Sequence, residues 1–162
     1  MRSIRNYFFL GLLCSGLLAC EKKEEPKLSA PSNPIPSLLE SPESLVIGNY
    51  TLAIQSDIWR NYMPPIDSTG SNLFAAVVIS ETQQKVLANK LTLEKVYLIN
   101  QEELWSKTFD SRDSSSPYQI SGSVNNGPKW GPNIKIDLVC EFSFQGEKFR
   151  LLAKDQDIYA TY

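Results

Sequence analysis

Between Ile134 and Gln145 the chain alternates apolar and mostly polar residues without a break: Ile134, Ile136, Leu138, Cys140, Phe142 and Phe144 against Lys135, Asp137, Val139, Glu141, Ser143 and Gln145. Only an extended backbone puts every second side chain on one face, so this stretch predicts a long strand buried on one side. Gln145-Gly146-Glu147-Lys148 is a polar break with a glycine, after which Phe149, Leu151 and Ala153 alternate with Arg150 and Lys154. The pair predicts a hairpin. The other strand candidates are 46–55, 73–80, 91–100, 103–109 and 117–124, with a short piece at 158–161, giving about seven strands. Helical spacing is weak everywhere: 56–62 is compatible with one turn and 81–89 with a loop containing one.

Seven short strands separated by turn residues in 45–162 predict an all-β domain, an immunoglobulin-like antiparallel β-sandwich, with a small β-barrel as the alternative. The cysteine pair and tyrosine corner of antibody domains are not evident, so the likeness is one of architecture. A chain of 162 residues with 42% apolar and 21% charged side chains suits a single globular domain with appendages.

Charge and chemistry narrow the function. Sixteen basic residues face eighteen acidic ones, and discounting Arg2 and Arg5 raises the acidic excess to four. Such a surface offers nucleic acid no cationic grip, so no nucleic-acid partner is expected. The sequence contains no histidine. Imidazole bases, Ser-His-Asp or Cys-His nucleophiles and most zinc or copper(II) sites are thereby removed. No enzymatic activity, catalytic residue, metal or cofactor is expected.

Met1 to Asn6 carries two arginines, and 7–19 is an almost unbroken apolar run ending in small residues. Thirteen residues are too few to cross a bilayer as a helix, so 1–19 reads as a secretory signal peptide. Leu17-Leu18-Ala19-Cys20 resembles the lipobox of bacterial lipoproteins. That resemblance implies cleavage before Cys20, diacylglycerol on its thiol and a further acyl chain, such as palmitate, on its amine. Two or three chains make release from the membrane negligible. No aspartate follows Cys20, which favours sorting to the outer membrane. Glu21-Lys22-Lys23-Glu24-Glu25 is similar to an export tag for the cell surface, or else is a solvated linker; the periplasmic face and the cell surface both stay open. With Cys14 removed and Cys20 lipidated, Cys140 has no disulfide partner and is expected to be an inert core residue.

Residues 20–44 form the lipidated cysteine and a tether. Pro26, Pro31, Pro34, Pro36 and Pro42 fall among Ser, Lys and Glu, a composition not expected to fold by itself.

Two segments depart from strand patterning: Asp57-Ile58-Trp59-Arg60-Asn61-Tyr62-Met63-Pro64-Pro65 and Asn125-Asn126-Gly127-Pro128-Lys129-Trp130-Gly131-Pro132-Asn133. Each reads as a proline-stiffened loop carrying a tryptophan. The Trp-Arg-x-x-Met-Pro and Asn-Gly-Pro-Lys-Trp-Gly-Pro segments resemble a family of exported bacterial proteins with no established activity. From the residues themselves, Trp59, Tyr62 and Trp130 line a ligand surface at one end of the domain, with Met63 beside them and Arg60 and Lys129 as donors to a protein or glycan. The alternative is a plug, both indoles folding inward and Arg60 stacking on a ring or pairing with Asp57. In either case the two loops are expected to touch. A binding or adaptor module for a protein or glycan is the first reading; an inhibitor or accessory subunit of an envelope hydrolase is the second.

The remaining candidates are weaker. Met63 and Cys140 make a poor copper(I) pair without histidine. Asp155 with Asp157, and Asp110 with Asp113, are the carboxylate pairs available for acid and base work, and read as solvated loop charges. Asp67-Ser68-Thr69 resembles a short O-glycosylation acceptor motif of exported Gram-negative proteins, in an exposed loop.

Overall fold

The computed structural model describes residues 33–87, 90–113 and 116–162. The expected signal peptide, the expected lipidation site Cys20 and the tether as far as residue 32 lie outside the described residues. One short helix, α1 (Ile35–Leu39), precedes nine strands: β1 (Ser44–Ile47), β2 (Tyr50–Asn61), β3 (Leu73–Glu81), β4 (Leu91–Asn100), β5 (Glu103–Thr108), β6 (Ser111–Asp113), β7 (Gln119–Gly127), β8 (Lys135–Phe144) and β9 (Glu147–Thr161).

The alternation at 134–145 does what it predicts. Ile136, Leu138, Cys140, Phe142 and Phe144 are all buried, and the chain reverses through Gln145 and Gly146, both at positive φ, so that Phe144 pairs with Glu147. A two-residue turn with φ above zero at both positions matches the twist of the strands it joins.

β9 determines the architecture. Its first part runs antiparallel to β8, but at Asp155, where φ is 54°, the strand breaks register, and its last residues run parallel to β2, Ile58 opposite Ile158 and Asn61 opposite Thr161. One strand thus belongs to two ladders. The sheet is continuous in the order β5-β4-β8-β9-β2-β3-β7-β6, with β1 added on β2. It curls into a half-barrel. The all-β expectation holds. In detail there are nine strands rather than about seven, and the parallel pairing of β2 and β9 makes one mixed sheet where an antiparallel sandwich was expected, closer to the barrel alternative.

Curling brings the far strands together over a common interior. Gly122 of β7 stands where an added Cβ would lie 2.6 Å from the Phe109 ring and 2.8 Å from Leu93, so the absent side chain is what lets β4 and β7 close. Arg112 Nε donates to the Leu93 carbonyl at 2.8 Å, and Lys107 Nζ to the side-chain oxygen of Asn125 at 3.0 Å, across the same seam. Leu52, Ile58, Val77, Leu93, Leu138, Phe142 and Leu151 fill the interior.

A second, smaller core lies outside it. Ile35 and Leu38 of α1 pack on Ile99, Val139 and Leu152, and Leu38 is only 1% exposed. The expectation of an unfolded tether to residue 44 is therefore corrected from Asn33 onward: two apolar residues three apart, with proline in the first turn, give this stretch a face to bury. Val139, the one apolar residue on the polar side of the 134–145 pattern, is the position α1 covers. The turn at Gly48-Asn49, which separates β1 from β2, and the short β6 were not anticipated.

Candidate functional site

Residues 56–62 are not a turn of helix, nor is Trp59 in a loop: β2 continues to Asn61. Ile58 and Arg60 face inward and are buried, which by alternation turns Asp57 and Trp59 to the outer face. There the Trp59 indole stacks on Phe74, its register partner in β3, with centroids 5.6 Å apart and rings inclined by 13°. Tyr159 is the register partner on the β9 side and is 43% exposed. The result is an outward row, Phe74, Trp59, Tyr159, one aromatic from each of three adjacent strands. Burial and, next, the Asp57 carboxylate beside it push the Tyr159 phenol above its ordinary range.

Trp130 goes the other way. Held in the loop between β7 and β8, it packs partly buried against the interior cluster. Trp59 and Trp130 therefore occupy opposite faces of β2, and the structure does not bring them to one ligand surface. The plug reading fits Trp130, whereas Trp59 is partly buried on the outer face.

Arg60 is neither a free donor nor paired with Asp57. Only 3% exposed, its guanidinium donates to four main-chain carbonyls: Ser71 at 2.9 Å, Gly131 at 2.7 Å, Lys129 at 3.3 Å, and Thr69. The first and last belong to the β2–β3 loop, the other two to the β7–β8 loop. The two loops do touch, and this side chain clamps them. A rigid planar fork with five N–H groups suits such a task, satisfying carbonyls that no strand reaches.

Around the clamp the pole is well fixed. The Tyr62 ring lies under Arg60, 5.2 Å from guanidinium carbon to centroid, and fits because Gly70, at φ 71°, has no Cβ to strike it. On its other side Tyr62 meets Tyr162 at 5.8 Å. Lys129 Nζ donates to Thr69 Oγ1 at 2.9 Å, and that hydroxyl donates to Asp67 Oδ1 at 2.6 Å. The side-chain and backbone hydrogen bonds from Thr69 hold the Asp67 carboxyl below its usual range. Met63 stands 45% exposed at the rim.

The other candidates have structural partners. Cys140 is fully buried, and burial pushes its thiol far above the usual range, leaving no thiolate for ligation or attack. Asp157 meets Lys135 at 3.3 Å, while the Asp155 N–H is held by Asp137 Oδ1 at 2.9 Å. Asp110 pairs with Lys107 at 2.7 Å and accepts the Asn125 N–H at 2.8 Å, contacts that lower its pKa. No three His, Cys, Asp or Glu side chains among the described residues are grouped to hold a metal.

Sequence reasoning missed Phe74 and Tyr159. The unbroken apolar run 73–79 carries no signal that marks Phe74 as outward; its placement follows from the burial of Leu73 and Ala75 on either side, and its partner is set by register, which the sequence does not display. Comparison with protein-family models and with curated proteins returns no match.

Proposed function

We propose that the protein is a lipid-anchored, exported, non-enzymatic binding or adaptor module of the outer membrane, and that its outer aromatic row takes a glycan. The observation that carries this reading is Trp59 stacked on Phe74 on the outer face, with Tyr159 beside it. Phe74 stacks on the indole, and the 43% exposed Tyr159 ring extends the same outer surface toward a ligand. Flat apolar ring faces next to a carboxylate, Asp57, suit a sugar, which presents C–H groups on one face and hydroxyls at its edge. Asp110 pairs with Lys107 and accepts the Asn125 N–H, and Asp157 pairs with Lys135, which favours the binding reading over acid and base work at these two carboxylates.

The test is titration of the purified protein with soluble oligosaccharides while following indole fluorescence. A saturable change that Trp59→Ala abolishes and Trp130→Ala retains supports the reading. Hydrolysis of the sugar, or no change with any glycan, overturns it. The anchor is checked separately by mass spectrometry of the mature N-terminus, where an unacylated Cys20 removes the proposed location.

One observation favours the second reading, an inhibitor or accessory subunit of an envelope hydrolase. The pole clamped by Arg60 is a stiff, proline-bounded wedge whose exposed tips are Met63 and Tyr162. Stable co-elution with a hydrolase, lost on substitution of Met63 and Tyr162, selects this alternative.

A further inference from the structure

One edge of β2 has two different neighbours. β1 pairs with it as far as Ala53, and β9 joins only at Ile58. Between these two, no strand pairs with this edge among the described residues. Tyr62 N–H donates to the Thr161 carbonyl on the β9 side, whereas the Asn61 carbonyl accepts the Ser71 N–H on the β3 side. By alternation, Ile54 and Ser56 direct their main-chain N–H and C=O toward the gap.

The opposite wall is β9, where it swings away toward β8. The Leu152 N–H donates to the Pro42 carbonyl at 2.9 Å above the gap, and Ser56 Oγ donates to Gln156 Oε1 at 2.8 Å across it. What remains is a cleft of about 500 Å³ edged by the polar residues Glu43, Gln55, Ser56, Asp57, Lys154 and Gln156. Its size falls in the range of small-molecule sites.

Three features restrict the occupant. Only four residues of β2 border the gap, roughly 13 Å of strand, and it is closed by β1 at one end and β9 at the other, so an added β-strand does not fit. Two carboxylates face one ammonium on the rim, a net negative charge that repels phosphates and carboxylates. The Gln55 carboxamide, the main-chain groups of Ile54 and Ser56, and the capacity left on Gln156, one of whose N–H groups donates to the Lys154 carbonyl at 2.7 Å, offer donors and acceptors together, as a polyhydroxylated ring requires. Asp57 also lies two residues from Trp59 on the same face, one pleat away.

We infer that this cleft is a subsite for one neutral sugar ring of a glycan whose adjoining ring packs on Trp59. The inference rests on the glycan reading proposed above and adds a second contact to it.

The experiment uses the full chain in a zwitterionic detergent without sugar groups. Maltotriose, mannotriose, N,N′,N″-triacetylchitotriose and trigalacturonate are titrated by calorimetry and indole fluorescence into the native protein and into Asp57→Ala, Gln156→Ala and Trp59→Ala. Gln55→Ala, on the exposed rim, replaces any cleft variant whose melting shows that it does not fold. The expected result is binding of at least one neutral trisaccharide, with trigalacturonate weaker by about tenfold or more, and a loss of about tenfold in each cleft variant, the scale of one hydrogen bond. Native-like binding by the cleft variants with loss only in Trp59→Ala overturns the subsite and leaves the aromatic reading standing. Preference for trigalacturonate overturns the inference, and no binding by any of the four sugars overturns both.

Discussion

The Arg60 guanidinium donates to the Gly131 carbonyl at 2.7 Å, joining residues seventy-one positions apart. Its other bonds reach Ser71, Lys129 and Thr69, so one side chain satisfies carbonyls from both loops at this pole. Arg60→Ala leaves them without a partner, and we expect a loss of about 3 kcal/mol or more. Arg60→Lys, with a point charge in place of a fork, should recover only part of it. Urea unfolding of the two variants measures the difference, and native stability in Arg60→Ala is the result that removes the clamp.

The two tryptophans should separate in the same assay. Trp130 packs on the interior, and Trp130→Ala is expected to cost about 3 kcal/mol. Trp59 loses chiefly its stacking on Phe74, so Trp59→Ala should cost about 1 kcal/mol. Equal costs would contradict their placement on opposite faces of β2.

Glu81 gives a pH dependence of definite sign. Burial raises its pKa, but N–H groups of Lys85, Thr51 and Gln83 bind its carboxylate and outweigh that effect, leaving the folded pKa below the ordinary value of 4.5. A carboxyl depressed on folding contributes stability above its unfolded pKa and loses it as pH falls through the folded one. Stability should therefore decline below about pH 4.5, and Glu81→Gln should flatten that decline while lowering stability at neutral pH. Melting temperature against pH for the two proteins reads out both effects.

Gly122→Ala should destabilise by about 1–3 kcal/mol, because the new methyl meets the Phe109 ring and Leu93 where the curled sheet closes. The companion variant Gly48→Ala meets nothing within 4 Å, and its cost is confined to the positive φ of the β1–β2 turn.

Cys140 should resist alkylation in the folded protein and react fully in urea, since the thiol is buried and its ionisation suppressed. Rapid labelling under native conditions, followed by mass spectrometry, would show that the interior opens.

How far the sequence discloses this molecule depends on the range of the interaction. The β8–β9 hairpin is local: alternation sets its faces and Gln145-Gly146 sets its turn. The strand at 73–80 is legible differently, as a short apolar run with three β-branched residues, Val77, Val78 and Ile79. The parallel pairing of Ile58 with Ile158 is not, because it joins strands a hundred residues apart and depends on a backbone irregularity at Asp155. The fate of Arg60 was hidden likewise. Next to Trp59 and Tyr62 it looks like a surface donor, and only tertiary structure supplies the carbonyls that consume it. Proline content misled at 33–44, where two apolar residues outweigh the composition around them.

The placement of α1 and β1 has a mechanical meaning. α1 packs on the outer side of β8 and β9, whereas β1 pairs with β2 and has Leu45 and Ile47 against the interior; between them the Leu152 N–H holds the Pro42 carbonyl, tying this stretch to β9. Pulled from Asn33, α1 with its two buried side chains is expected to detach first, and β1, held by four register pairs, to unzip from β2 next. On that order, residues 33–47 would yield under load before the Phe74, Trp59 and Tyr159 row is disturbed.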